Sequence, residues 1–210
     1  NLVKGAPNRV TAANLENGIA QAIICNSGIA NTCAADGIEK AEAMCALAAG
    51  ALGIDAKDVV VASTGVIGPS INIEPIASHI DVLKEGLSRD GGEKAAIAIM
   101  TTDTHEKQVC VKFELDGKTC YIGGMAKGSG MIMPNMATML CFLTTDAAIS
   151  AEMLKKALNA IVCDTFNMVS VDGDTSTNDM CSILASGLAG NSEITAENAD
   201  FDTFKTALFE

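Results

Sequence analysis

Apolar positions along this chain fall into short blocks whose period changes near residue 107. "AQAIICN" (20–26) and "DVVVAS" (58–63) are continuous apolar runs of strand length, and each predicts a buried strand. Between them, "GIEKAEAMCALAAGALG" (37–53) is rich in Ala, Glu, Leu and Met and predicts a helix that stops at Gly53. "IEPIASHIDVLKEGL" (73–87) and "GGEKAAIAIM" (91–100) predict two more helices. "KQVCVKFELDGKTCYIGG" (107–124) then reads as two β runs joined by Asp116-Gly117, a hairpin signal. "ATMLCFLT" (137–144), "NMVSVD" (167–172) and "DMCSILAS" (179–186) predict strands, and helical spacing returns over 150–166 and 195–209. Strands and helices mixed with a hairpin predict a layered α/β fold and not a pure βαβ repeat.

The chain has 210 residues, enough for one large domain or two small ones with a real core. With 49% hydrophobic but only 3% aromatic residues, that core must be built from Ala, Val, Ile, Leu and Met. A net charge of −12 argues against a nucleic-acid partner, because phosphate binding needs a basic surface. The eight cysteines sit mostly in apolar runs, with no CxxC spacing, and only two histidines accompany them. A disulfide framework and a metal site are therefore not expected, and the usage fits a reducing cytoplasm. No apolar run approaches ~18 residues, so no membrane span is expected, and the first residues do not read as a signal peptide. The chain opens on Asn1 and not Met, so it is expected to be cut from something longer.

Several motifs fail when read in detail. In "GGMAKGSGM" Lys127 precedes Gly128, whereas a phosphate loop needs Lys after its last glycine, and the dinucleotide GxGxxG also breaks, at Met133. "DGDTSTND" (172–179) has Thr177 and Ile183 where a calcium loop needs Gly and Glu. His79 lies in a helical segment and His105 in a polar stretch, so neither supplies the base of a Ser-His-Asp triad.

The stretch "NMATML" places Thr138 between Ala137 and Met139 in an apolar segment. One reading is an ordinary strand threonine. The other is a nucleophile whose base is its own α-amine, with a pKa of about 7.7–8.0, exposed by cutting the Ala137–Thr138 bond. "ASTGVIG" (62–68), after a strand, is either a glycine turn or an oxyanion site made of a Thr hydroxyl and a Gly amide.

Taken together, "NSGIAN" (26–31), "STGVIG" (63–68), "MTTDT" (100–104), "GGMAKGSGMIMPNMATML" (123–140), "TTDAAIS" (144–150) and "VDGDTSTND" (171–179) resemble the ornithine acetyltransferase (glutamate N-acetyltransferase) family of arginine biosynthesis. The resemblance implies a layered α/β sandwich with mixed sheets, of the autoprocessed type shared with D-aminopeptidases. It implies self-cleavage between Ala137 and Thr138, giving an α chain (1–137) and the start of a β chain (138–210). Thr138 would be the nucleophile, taking acetyl from N-acetylornithine and passing it to glutamate, and Thr64 and Gly65 the oxyanion hole. Lys127 and Thr101 or Thr102 would contact substrate. No cofactor or metal is implied, although acetyl-CoA could serve as an alternative donor. Two α and two β chains would form a heterotetramer in the cytoplasm, without nucleic-acid or membrane partners. The chain departs from the family's pattern at Ile29, where a polar Asn is usual, in "AADG" (34–37), and in having about half the usual length. Two alternatives stay open: an N-terminal-Thr amidase or aminopeptidase of the same fold, and an uncut, inactive fragment.

Overall fold

A computed structural model of the protein describes residues 3–132 and 139–210. Two sheets face one another, and helices cover both outer faces. The parallel pair β1 (Ala22–Asn26) and β2 (Val59–Ser63) is joined through helix α2 (Gly37–Leu52). The second sheet has the order β3 (Lys107–Leu115), β4 (Lys118–Lys127), β5 (Leu140–Thr145) and β6 (Met180–Ala185). β3, β4 and β5 run antiparallel in turn, while β6 lies parallel to β5. This is the layered α/β fold that the pattern predicts, with the mixed-sheet sandwich that the resemblance implies.

The two-residue period of the strands explains the layering. In β2, Val59 and Val61 pack with Met44, Cys45 and Ala48 of α2, whereas Val60 and Ala62 face the other sheet. Leu140 and Phe142 of β5 meet them there, and Cys141 and Leu143 turn to the opposite side. That outer core is closed by α5 (Ala151–Val162) and α6 (Ala199–Phe209), with Phe204 edge-on to Phe113 of β3. Helix α3 (Glu74–Glu85) adds Ile76 and Ile80 to the α2 side, and the short α4 is Gly92–Ala98.

Helix α1 (Ala6–Asn14), with a weak apolar pattern, is absent from the sequence-based reading. It covers the outer edge of β2: Thr11 Oγ1 donates to the Val61 carbonyl at 2.8 Å and accepts its amide at 2.9 Å. Asn14 donates to Val59 in the same way, so a two-stranded sheet keeps no open edge there.

Boundaries follow local signals. Gly53 ends α2 in the left-handed conformation, φ 72°. Asp116 and Gly117 both have positive φ and form the predicted hairpin turn. Ser150 caps α5 by accepting from Met153.

Two expectations need correction. The stretch 167–172 is not a strand: Phe166–Met168 form a short 3-10 turn, and the Val171 and Asp172 amides bond to the Ile132 carbonyl instead of a ladder. Of the strand predicted over 137–144, Ala137 and Thr138 lie outside the described residues and Met139 is not in the ladder, its amide being taken by a side chain, Asp179, so β5 is Leu140–Thr145.

Candidate active site

Several chain ends meet at one end of the facing sheets. Thr64 directly follows β2, Lys127 closes β4, Met139 precedes β5 and Asp179 precedes β6. Lys127 shares the alternation of Met125, which faces the inter-sheet core, so its side chain runs between the layers.

Its ammonium donates to Thr64 Oγ1 at 3.0 Å and to Thr101 Oγ1 at 3.1 Å. Lys127 is only 2% exposed, and no carboxylate among the described residues lies within ion-pair distance of it. Burial pulls its pKa down, and the charge of Asp103 partly counters this. A cation that uses two of its three N–H groups among the described residues is suited to a carboxylate ligand. Because Thr64 Oγ1 accepts from the ammonium, its own hydrogen points elsewhere, as an oxyanion donor requires.

Beside it, Gly65 has φ 125°, and a Cβ there would lie 2.2 Å from the Gly28 carbonyl oxygen. Only glycine fits. The loop 26–31 is what presses against it: Ala30 donates to the Val66 carbonyl at 2.9 Å, and Val66 to Gly28 at 3.1 Å. Ile29 packs into the α2-side core, so the departure at that position is accommodated as packing.

Thr101 and Thr102 separate in space. Thr101 touches Lys127, whereas Thr102 pairs its hydroxyl with Ser129 at 2.7 Å. Asp103 anchors both loops, accepting from the Gly128 amide at 2.8 Å and from the Lys107 ammonium at 2.6 Å. Burial raises its pKa, but Lys107 and the amides of Gly128 and Thr101 outweigh that and hold it below the ordinary value.

Asp179 differs. Oδ1 accepts the Met139 amide at 2.9 Å, and Oδ2 is buried without a partner among the described residues. Burial pushes its pKa up to about 7, against the lowering effects of the Met139 amide and of Lys127. Next to it, Asn178 donates to the Ser63 carbonyl at 2.9 Å and also to Ala30, tying the loops of the two sheets together. A cavity of about 180 Å³ has Lys127, Gly128, Ile132 and Met139 in its wall.

Ala137 and Thr138 lie outside the described residues. Of the other predicted site residues, Thr64, Thr101 and Lys127 are joined by hydrogen bonds with Gly65 next to Thr64, while Thr102 turns to Ser129. Sequence reasoning gives no role to Asp103, Asp172, Asn178 or Asp179. Their signal is present, since all four stand in "MTTDT" and "VDGDTSTND", polar stretches in an otherwise apolar chain. The histidines keep to local bonds: His79 to the Pro75 carbonyl and Ser78, and His105 to Thr104. All eight cysteines are free, and burial pushes Cys25, near Lys127, up to about 12, so it stays a neutral thiol. Among the described residues, no helix is long and apolar enough to cross a membrane.

Comparison with known proteins gives this geometry a context. The arginine biosynthesis bifunctional protein ArgJ of Symbiobacterium thermophilum is 51% identical over 209 residues, 99% of this chain and 52% of that protein. The Bacillus subtilis protein of the same name is 47% identical, over 98% of this chain and 50% of its own. The chain thus spans about half the length of the curated relatives it matches. Among solved structures, the argJ protein of Bacillus halodurans superposes with a TM-score of 0.60 at 42% identity, covering 65% of this chain and 73% of that one. An ornithine acetyltransferase from Mycobacterium tuberculosis, complexed with ornithine, gives 0.56 at 33% identity, covering 64% and 72%. The ArgJ family matches residues 1–210 without remainder, and the chain belongs to that family.

Proposed function

We propose that this chain carries the self-cleaving half-site of an acetyltransferase that moves acetyl from N-acetylornithine to glutamate. The observation that supports the reading best is the buried Lys127 ammonium bonded to Thr64 and Thr101, one strand end away from the chain that leads to residue 138. The relatives are named for arginine biosynthesis, and one solved relative is complexed with ornithine.

In self-cleavage the Thr138 hydroxyl oxygen attacks the Ala137 carbonyl carbon. The peptide C–N bond breaks, its nitrogen takes up the hydroxyl proton, and water hydrolyses the resulting ester to leave an Ala137 carboxylate and a free Thr138. The pieces are then 1–137 and 138–210. In transfer, the same oxygen takes the acetyl group and ornithine leaves as its free amine; the glutamate amine then attacks the acetyl ester and restores the hydroxyl. Thr64 and the Gly65 amide hold the oxyanion at each stage, a contribution of about 10²–10³ in rate per donor. Lys127 takes a substrate carboxylate, with Thr101 beside it. Acetyl-CoA is the alternative donor, and no metal or other cofactor is needed for these steps. The family resemblance extends the reading to a cytoplasmic heterotetramer of two α and two β chains.

Denaturing intact-mass analysis with an acetyl-transfer assay tests this. Two masses split at Ala137–Thr138, with acetyl-glutamate formed from N-acetylornithine, are expected. A single mass that persists on incubation overturns self-processing. Acetate release without acetyl-glutamate favours an amidase instead.

A further inference from the structure

The stretch Val171–Met180 holds both flanks of segment 133–138. On the upstream side, Asp172 accepts the Met131 amide through Oδ2 at 2.6 Å and the Ile132 amide through Oδ1 at 2.9 Å. The Ile132 carbonyl accepts the Val171 amide at 2.8 Å, so Ile132 is held at both its N–H and its C=O. On the downstream side, Asp179 Oδ1 accepts the Met139 amide at 2.9 Å, and the Met139 carbonyl accepts from Met180 at 2.9 Å. Met139 is therefore held in the same two-sided way.

The upstream contact favours an ionised carboxylate. The amides of Met131 and Ile132 keep the Asp172 carboxyl below its ordinary range. Met131 adopts φ 57°, an unusual conformation for a side chain-bearing residue, which the Asp172 bond helps to maintain. The downstream end is anchored in turn, because Asn8 donates to the Asp179 carbonyl at 2.7 Å and Asn178 ties the adjoining turn to Ser63.

We propose that Asp172 and Asp179 are positioning residues that fix the two flanks of segment 133–138 for cleavage at Ala137–Thr138; the inference rests on the self-cleaving reading above. A hydroxyl attacking a neighbouring carbonyl must come within about 3–3.5 Å in good alignment, and tethering both ends of a short segment restricts it to fewer conformations. The grip is asymmetric. Asp172 needs both oxygens, one for each amide, whereas Asp179 needs one acceptor oxygen for Met139.

The test follows the appearance of the 1–137 and 138–210 masses with time in the full chain, with melting temperature measured in parallel. Asp172→Ala and Asp179→Ala are each expected to cut at least tenfold more slowly than the unsubstituted chain. Asp179→Asn keeps an acceptor oxygen and should restore most of the rate, while Asp172→Asn, which loses one acceptor, should stay slow. The Asn variants keep side-chain volume and decide the matter if the Ala variants fail to fold. Cleavage of all four variants at the unsubstituted rate overturns the clamp but leaves self-cleavage standing. If Asp179→Asn is as slow as Asp179→Ala, the hydrogen bond to Met139 is not the active feature, and the clamp is again overturned. An unsubstituted chain that never cuts overturns both this inference and the reading beneath it.

Discussion

Lys127 and Thr64 meet across the two sheets, with the ammonium of one 3.0 Å from the hydroxyl oxygen of the other. The charge is buried and lacks an ion-pair partner among the described residues, an arrangement that costs stability.

Stability and activity should respond to Lys127 in opposite directions. Lys127→Met should leave the melting temperature unchanged or raise it, since an apolar side chain of similar length removes an uncompensated desolvation. On the proposed acetyltransferase reading, acetyl transfer should fall by about 10² or more. Thr64→Val should lower the rate by about 10²–10³, and Thr64→Ser far less, because serine keeps the donor. Equal loss in Thr64→Val and Thr64→Ser would show that the hydroxyl is not the acting group.

Gly65→Ala places a methyl 2.2 Å from the Gly28 carbonyl oxygen at a φ of 125°. The backbone strain alone is of order 1–3 kcal/mol. At about 2–4 °C for each kcal/mol in a chain of this size, thermal denaturation should read a clear drop. A melting temperature equal to that of the unsubstituted chain would mean that loop 26–31 yields freely.

Asp179 makes stability depend on pH in an unusual direction for a carboxylate. Its folded pKa is about 7, and the unfolded value about 3.9. Between these values the folded chain holds a proton that the unfolded chain has released, so this group's contribution falls as pH rises and levels off above the folded value. The Asp179→Asn melting temperature should exceed that of the unsubstituted chain at about pH 8, and the advantage should shrink towards about pH 5. A difference that does not vary across that range would place the folded pKa near the ordinary one.

Most of the layering was legible in the sequence because continuous apolar runs such as "DVVVAS" are what a strand buried on both faces requires. The hairpin at Asp116-Gly117 was legible because its turn demands residues that tolerate positive φ. The stretch 167–172 misled because alternation in "NMVSVD" looks like a strand, while its Val171 and Asp172 amides in fact serve the Ile132 carbonyl. Thr64, Gly65 and Lys127 were legible through the resemblance, not through periodicity. Asp179 and Asn178 were not assigned, because their function depends on which carbonyl or amide lies opposite, and that is set by the docking of loops far apart in the chain.

That same docking has a temporal meaning. Lys127 belongs to one sheet, Thr64 to the other, and neither layer by itself contains both groups. On the self-cleaving reading, a chain whose layers have not yet met has no reaction centre and keeps its 137–138 bond. The cut then becomes a chemical timestamp of assembly: the fraction of severed molecules counts those that completed the sandwich, and the unsevered remainder counts those still on the way.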